Sequence, residues 1–309
     1  MSIYVINSGV QTTIQDLGRR NKAHLGISAA GAADAYSMKI ANIIVGNNIG
    51  QPILEMTLFG GEYKFQKDAI IAFAGSIFKV SIDGESIEFY KSYKIKNGCT
   101  IKIGPTIEGA RCYLAVRGGL KVPSSMNSHS THILSGIGGH KGRALKKGDE
   151  INIFDLEDDF APKKNFRSPP KIKRDTIRIT EGIQHNFFSK LMKNNFLKNE
   201  FKVSTQFDRM GIHLQGPKII PIEKNDIITE GIPLGGVQIP GNGNPIISFV
   251  DHQTTGGYPK IANVITADLC KVGQLKPDDQ LQFEMVTIKE AEYLRLFQEK
   301  YLSDLQKLQ

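Results

Sequence analysis

Cysteine is scarce in this 309-residue chain: Cys99, Cys112 and Cys270 are odd in number, widely spaced and free of any Cys-x-x-Cys pairing. That pattern fits a reduced, intracellular compartment. The opening "MSIYVINSGVQTT" has no basic head followed by an apolar run. No window approaches the roughly 18 apolar residues of a spanning helix, so the expectation is a cytoplasmic protein with no membrane association. Aromatic-basic stripes are missing as well. The net charge of +8 is carried by scattered lysines, and the two basic clusters, "PKKNFRSPPKIKR" and "GHKGRALKKGD", read as a linker and a turn, so nucleic acid ranks low as a partner.

The common nucleotide and hydrolase signatures are absent too. "GIGGHKGR" (136–143) lacks the Gly-Lys-Ser/Thr ending of a Walker loop, and Lys141 stands where a dinucleotide fingerprint needs its last glycine. No serine sits in a Gly-x-Ser-x-Gly elbow. His129 and His132 have no cysteine or carboxylate at metal spacing, so no metal site is expected. Cys112, in an apolar strand, reads as core.

What the chain does contain is many short strands broken by turns. Examples are 68–76, 78–90 with Asp83-Gly84 as a hairpin turn, 112–119 and 149–154, then 176–182, 201–207, 245–251 and 279–286. Between the two sets lies "EDDFAPKKNFRSPPKIKR" (157–174), with three prolines and both signs of charge, the composition of a connector. The expected division is therefore an N-terminal β-rich domain over 1–165 and a C-terminal one over 166–309. Helices are expected at 34–45, capped by Asp34 with Met38, Ala41, Ile44 and Val45 on one face, and at 184–194. A third should begin at the Thr287/Glu290 capping box, with Ala291, Leu294, Tyr301, Leu305 and Leu308 on its apolar face.

Two runs concentrate polar groups among glycines. In "DHQTTGGYPKIA" (251–262), Gln253, Thr254, Thr255, Gly256, Gly257 and Tyr258 offer hydroxyls, an amide and a backbone able to approach a ligand closely. Such donors can hold an anion or a developing oxyanion; the same residues would also suit a tight turn whose threonines satisfy their own backbone. Asp251 and Lys260 are candidates for catalysis or for charge pairing. In 9–37, Gln15, Asp16 and Arg19 are candidates for substrate contact or for a loop-pinning ion pair, and His24 for a general acid or base or a structural imidazole. Glu55, in an apolar strand, is either an anchor or a perturbed acid. Arg117 and the Asp208-Arg209 pair pose the same choice, since a guanidinium beside glycines suits carboxylate recognition.

The stretches "VQTTIQDLGR", "GAADAYSMKIANIIVGN", "PILEMTLFGG", "YLAVRGGLKVP", "DRMGIHLQG", "TEGIPLGGVQIP" and "DHQTTGGYPKIA" together resemble the biotin-dependent carboxyltransferase, or allophanate hydrolase subunit 2, family over nearly the whole chain. The resemblance implies a mainly β fold of two cyclophilin-like β-barrel domains with a few short helices. It implies the C-subunit of a 5-oxoprolinase that opens 5-oxoproline to glutamate, with an inhibitor-like B-subunit and an A-subunit as partners, a small anionic substrate, and ATP used by the complex; the chain alone should be inactive. Two other readings stand beside it: a biotin-dependent carboxyltransferase component, and a non-enzymatic antagonist of a kinase-inhibitor partner. Homo-oligomers stay open. The chain departs from the family pattern at His129 in "NSHST" and His252 in "DHQTT", where the family commonly has arginine; imidazole offers neither the bidentate fork nor the permanent charge.

Overall fold

A computed structural model describes residues 2–155, 175–222 and 227–307. The expected connector and the division at 165 lie outside the described residues. The chain forms two compact units: the first comprises Met1–Arg19, Ala30–Pro170 and Leu302–Gln309, the second Arg20–Ala29 and Lys171–Tyr301. A short internal segment and the C-terminus thus group with the unit that is remote in sequence.

In the first unit a six-stranded sheet runs in the order Glu150–Asn152, Ser2–Asn7, Phe59–Phe65, Thr100–Thr106, Phe78–Ile82, Glu85–Ser86. A five-stranded sheet runs Gln11–Gln15, Ile53–Thr57, Arg111–Val116, Ala69–Gly75, Ser92–Ile95. Both sheets feed one core, in which Ile3, Val5, Tyr63 and Phe65 from the first meet Ile14, Met56, Phe73 and Leu114 from the second. The Asp83-Gly84 hairpin forms as read: both residues have positive φ, 49° and 91°, and Ile82 pairs with Glu85 across them, the twist that a two-residue hairpin favours.

Helix α1 (Ala35–Ile44) is buried on nearly every side, and Asp34 caps it by accepting from the Ser37 amide at 2.9 Å. Removing that cap exposes an orphan amide inside the fold, so Asp34→Ala should lower stability by about 1 kcal/mol, measurable as a reduced thermal midpoint.

The second unit is a closed barrel of seven strands, in the order Thr176–Glu181, Lys260–Val264, Gly236–Gln238, Ile246–Ser248, Gly211–Gln215, Phe201–Phe207, Gln280–Met285. Closure leaves no free edge in that sheet. Outside it, Glu230–Gly231 pairs with Thr255–Gly256 as a small ribbon. The helix expected at 184–194 is instead a 3-10 turn at His185–Phe187 followed by α2 (Lys190–Lys198). Ser189 is the reason: it is extended (ψ 159°) and accepts from the Met192 amide, so it starts a new helix rather than continuing the old one. After the four-residue α3 (Leu269–Val272), the final helix α4 (Ile288–Lys307) opens on the expected capping box, with Thr287 N–H donating to Glu290 at 2.8 Å and Glu290 N–H to Thr287 at 3.2 Å. Its docked side includes Leu302 and Leu305, and Leu308 lies outside the described residues. No helix among the described residues is long and apolar enough to cross a membrane.

Candidate functional site

The run 251–260 leads from one barrel strand into the next, and its first residue is an anchor. Arg209 Nε donates to Asp251 Oδ2 at 2.8 Å and Nη2 to Oδ1 at 3.0 Å, while the Asp251 amide donates to the Arg209 carbonyl at 2.8 Å. Both carboxylate oxygens are engaged by a buried fork, so Asp251 has Arg209 as its charge partner. Asp208 is also committed: Oδ1 accepts from the Met210 and Gly211 amides at 2.7 and 3.0 Å, closing the turn into the next strand.

His252 sits at the start of the loop, its Nδ1 at 2.7 Å from the Gln253 carbonyl and its own carbonyl accepting the Ser28 hydroxyl. This last contact ties the segment 20–29 to the loop within the second unit. Burial pushes the His252 imidazole below its ordinary pKa, outweighing the Gln253 contact and the Asp251 charge. The folded state therefore favours the neutral ring. Its stabilising contribution is complete above the unfolded value of about 6.5 and is lost as pH falls through the lower folded value. In His252→Gln the unfolding free energy should fall less between about pH 7 and about pH 5 than in the parent, as read by denaturant titration at several pH values.

The central residues behave differently from a self-satisfied turn. The ribbon is held by main chain, with Ile232 N–H donating to the Thr254 carbonyl at 3.0 Å and Ile227 N–H to the Gly257 carbonyl at 2.8 Å. Among the described residues the side chains of Gln253, Thr254, Thr255 and Tyr258 make no hydrogen bond. Gly256 and Gly257 are required by close approach rather than by positive φ. A Cβ on Gly256 would lie 2.6 Å from the Ile232 side chain and 3.4 Å from Gln238 Oε1, and one on Gly257 would lie 3.1 Å from the Ile227 carbonyl oxygen.

A polar cluster adjoins this ribbon. Lys260 is 0 % exposed, and its ammonium lies 2.7 Å from Glu230 Oε1 and 3.4 Å from the Tyr258 carbonyl. Gln184 Nε2 donates to the same Glu230 oxygen at 2.8 Å, and Gln184 Oε1 accepts the Lys260 amide at 3.1 Å. The Lys260 ammonium, and then Gln184, hold the Glu230 carboxyl below its usual range. Gln238 donates from Nε2 to the Ser248 hydroxyl at 2.8 Å, whereas its buried Oε1, close to Gly256, has no hydrogen-bond partner among the described residues. A buried acceptor without a partner is costly and is a natural contact for a ligand N–H or a water. Gln184, Glu230 and Gln238 were not singled out in the sequence; the signal that could have exposed Glu230 is Lys260 itself, since a lysine in an apolar strand demands a carboxylate.

The remaining candidates are engaged in local contacts or lie exposed. Asp16 is buried and accepts from the Ser128 hydroxyl (2.7 Å), the Ser130 hydroxyl, the His129 amide and the Gly18 amide (2.8 Å), so it pins the 128–131 loop. Arg19 donates to the Ser130 carbonyl and Gln15 to the Thr131 carbonyl at 3.1 Å, reinforcing the same loop. Glu55 is an anchor, accepting from the Tyr113 hydroxyl at 2.9 Å and the Ala33 amide at 2.7 Å, with Arg111 Nε 3.9 Å away. Arg117 Nη1 donates to the Val45 and Gly46 carbonyls at 2.9 and 2.6 Å, closing the end of α1. His24 is exposed on a 3-10 turn in the segment that groups with the second unit, and its ring makes no hydrogen bond among the described residues.

The model of the carboxyltransferase domain, subdomains A and B, matches residues 25–285. The chain belongs to this family. It is 33% identical over 306 residues to the C-subunit of 5-oxoprolinase from Haemophilus influenzae, covering 99% of this chain and 98% of that protein. The same-named protein of Escherichia coli is 34% identical over 301 residues, covering 97% and 96%. The crystal structure of the Kluyveromyces lactis urea carboxylase superposes with a TM-score of 0.93 at 29% identity, over 98% of this chain but only 29% of that one. Against the K. lactis urea amidolyase structure the carboxyltransferase-family chain spans a fifth of the length, 20%.

Proposed function

We propose that this carboxyltransferase-family chain is the C-subunit of a 5-oxoprolinase, acting in the cytoplasm with an A-subunit and an inhibitor-like B-subunit to convert 5-oxoproline, water and ATP into glutamate, ADP and phosphate. The observation that carries the reading is end-to-end similarity to two proteins named as the C-subunit of 5-oxoprolinase, each covered to at least 96% of its length. The three free thiols are in keeping with a reducing compartment.

The chemistry required is attack of water on a resonance-stabilised lactam, so charge must build on the lactam oxygen and the ring nitrogen must leave with a proton. The uncommitted hydroxyls of Thr254 and Thr255 are suited to donate to that oxygen. Lys260 and Glu230 fix the floor on which the Thr255–Gly256 ribbon rests.

The glycines of 136–143 form turns and lead into no helix, so this run offers no helix N-terminus to a phosphate. No step through ATP is assigned to this chain, and ATP use belongs to the assembled complex. Mixing the chain with its A- and B-subunits should give ATP-dependent glutamate formation from 5-oxoproline that disappears when any one component is omitted. An assembled complex without activity would refute the proposal.

The TM-score of 0.93 to urea carboxylase supports a second reading, carboxyl transfer from a biotin carrier to a small amide. That reading predicts bicarbonate dependence and inhibition by avidin. The 5-oxoprolinase reading predicts neither.

A further inference from the structure

The first unit has a cleft of about 710 Å³ that the proposed reaction does not use. Its size is in the range that takes small organic ligands. Arg117, Lys121 and His129 line it, together with the side chains of Asn48, Gln51 and Asp155. Asp155, the one acid among the lining residues, is ion-paired with Lys67, so the wall keeps a cationic excess.

These groups are placed by the fold rather than left loose on its surface. Arg117, which lines the cleft, is fixed by the two bonds of its guanidinium to the end of α1. Lys121 is set by its amide bond to the Asn152 carbonyl at 2.7 Å, and its ammonium lies 5.9 Å from the centre of the Phe154 ring. His129 is the most heavily constrained. Its own amide and the hydroxyls of both neighbours, Ser128 and Ser130, all converge on buried Asp16. Its Nδ1 is 3.3 Å from the Pro123 carbonyl, a contact that sets the turn of the ring. A carboxylate with this many donors is a rigid pin, and what it holds in place is the backbone that carries a half-buried imidazole at a cationic cleft.

We infer that this cleft is a second binding site, specific for the oxyanion group (carboxylate or phosphate) of a small ligand, with Arg117 and Lys121 as its cationic contacts, His129 as a polar wall residue and Asp16 as a positioning residue for the backbone that carries it. The inference stands independently of the 5-oxoprolinase reading.

Titration of the full-length chain with inorganic phosphate in one arm and succinate in the other tests it, followed by the His129 ring signals in NMR and by calorimetry. Saturable binding of either probe that shifts the His129 ring supports the site, and the arm that binds more tightly identifies the oxyanion. Lys121→Ala and His129→Ala should each weaken binding by a few-fold to about tenfold without changing the thermal midpoint, because both are surface-facing. His129→Arg, which adds a fork and a permanent charge, should tighten it. The inference is overturned if neither probe moves the His129 signals, or if binding occurs but the cleft substitutions leave its affinity unchanged.

Discussion

Arg209→Ala is expected to lower the unfolding free energy by about 3–5 kcal/mol, because it strands a buried carboxylate. Asp251 and Arg209 are 7 % and 5 % exposed, and the guanidinium supplies two of the carboxylate's hydrogen bonds at 2.8 and 3.0 Å. With the fork gone, Asp251 is left buried without its paired cation. Arg209→Lys should recover only part of the loss, since an ammonium cannot bond both oxygens in one plane. The double variant Arg209→Met, Asp251→Leu should be much closer to the parent than either single change, because no charge is then left buried without its partner. Denaturant midpoints at constant m-value read all three. A loss of under about 1 kcal/mol for Arg209→Ala would mean that the pair is surface-like and that the loop is held by its main chain alone.

The parts of this fold that were legible in the sequence are those decided by neighbours along the chain. The Asp83-Gly84 turn, the Asp34 cap and the Thr287/Glu290 box each involve residues within a few positions of one another, and each forms as read. The second helix was misplaced because His185–Phe187 and Lys190–Lys198 look continuous in hydrophobic pattern, and only the extended backbone at Ser189 separates them. The grouping of 20–29 with the second unit was not legible, since no local propensity encodes which of two cores a loop joins. Within the candidate site, Asp251 and Lys260 were read with charge pairing as one of two roles, and the structure supplies Arg209 and Glu230 as the partners. Gln184 and Gln238 were invisible, because an amide gains meaning only from what closes around it; Gln184 reaches across 76 positions to the Lys260 amide. Asp16 illustrates the opposite case: the sequence left open an ion pair with Arg19 or substrate contact, whereas the carboxylate collects hydroxyls and amides of the 128–131 loop.

The largest effect on activity is expected from Thr254→Ala, Thr255→Ala. Loss of a single oxyanion donor costs about 10²–10³ in turnover, so removal of both hydroxyls should reduce glutamate formation by at least about 100-fold. The loop itself should survive. Its ribbon with Glu230–Gly231 and its bond from Ile232 are main-chain interactions, and neither threonine hydroxyl bonds to protein among the described residues. Thr254→Ser, Thr255→Ser keeps both hydroxyls and should keep most of the activity, which separates donor loss from damage to the loop.

The most direct test of the proposed site is therefore the rate of ATP-dependent glutamate formation from 5-oxoproline by the complex reconstituted with the double alanine variant, alongside a size-exclusion profile showing that the complex is assembled. The expected result is an intact complex whose turnover has fallen by about 100-fold or more and is restored by the double serine variant. An intact complex turning over at the parent rate would contradict it, and would leave 251–260 as a structural loop of the barrel.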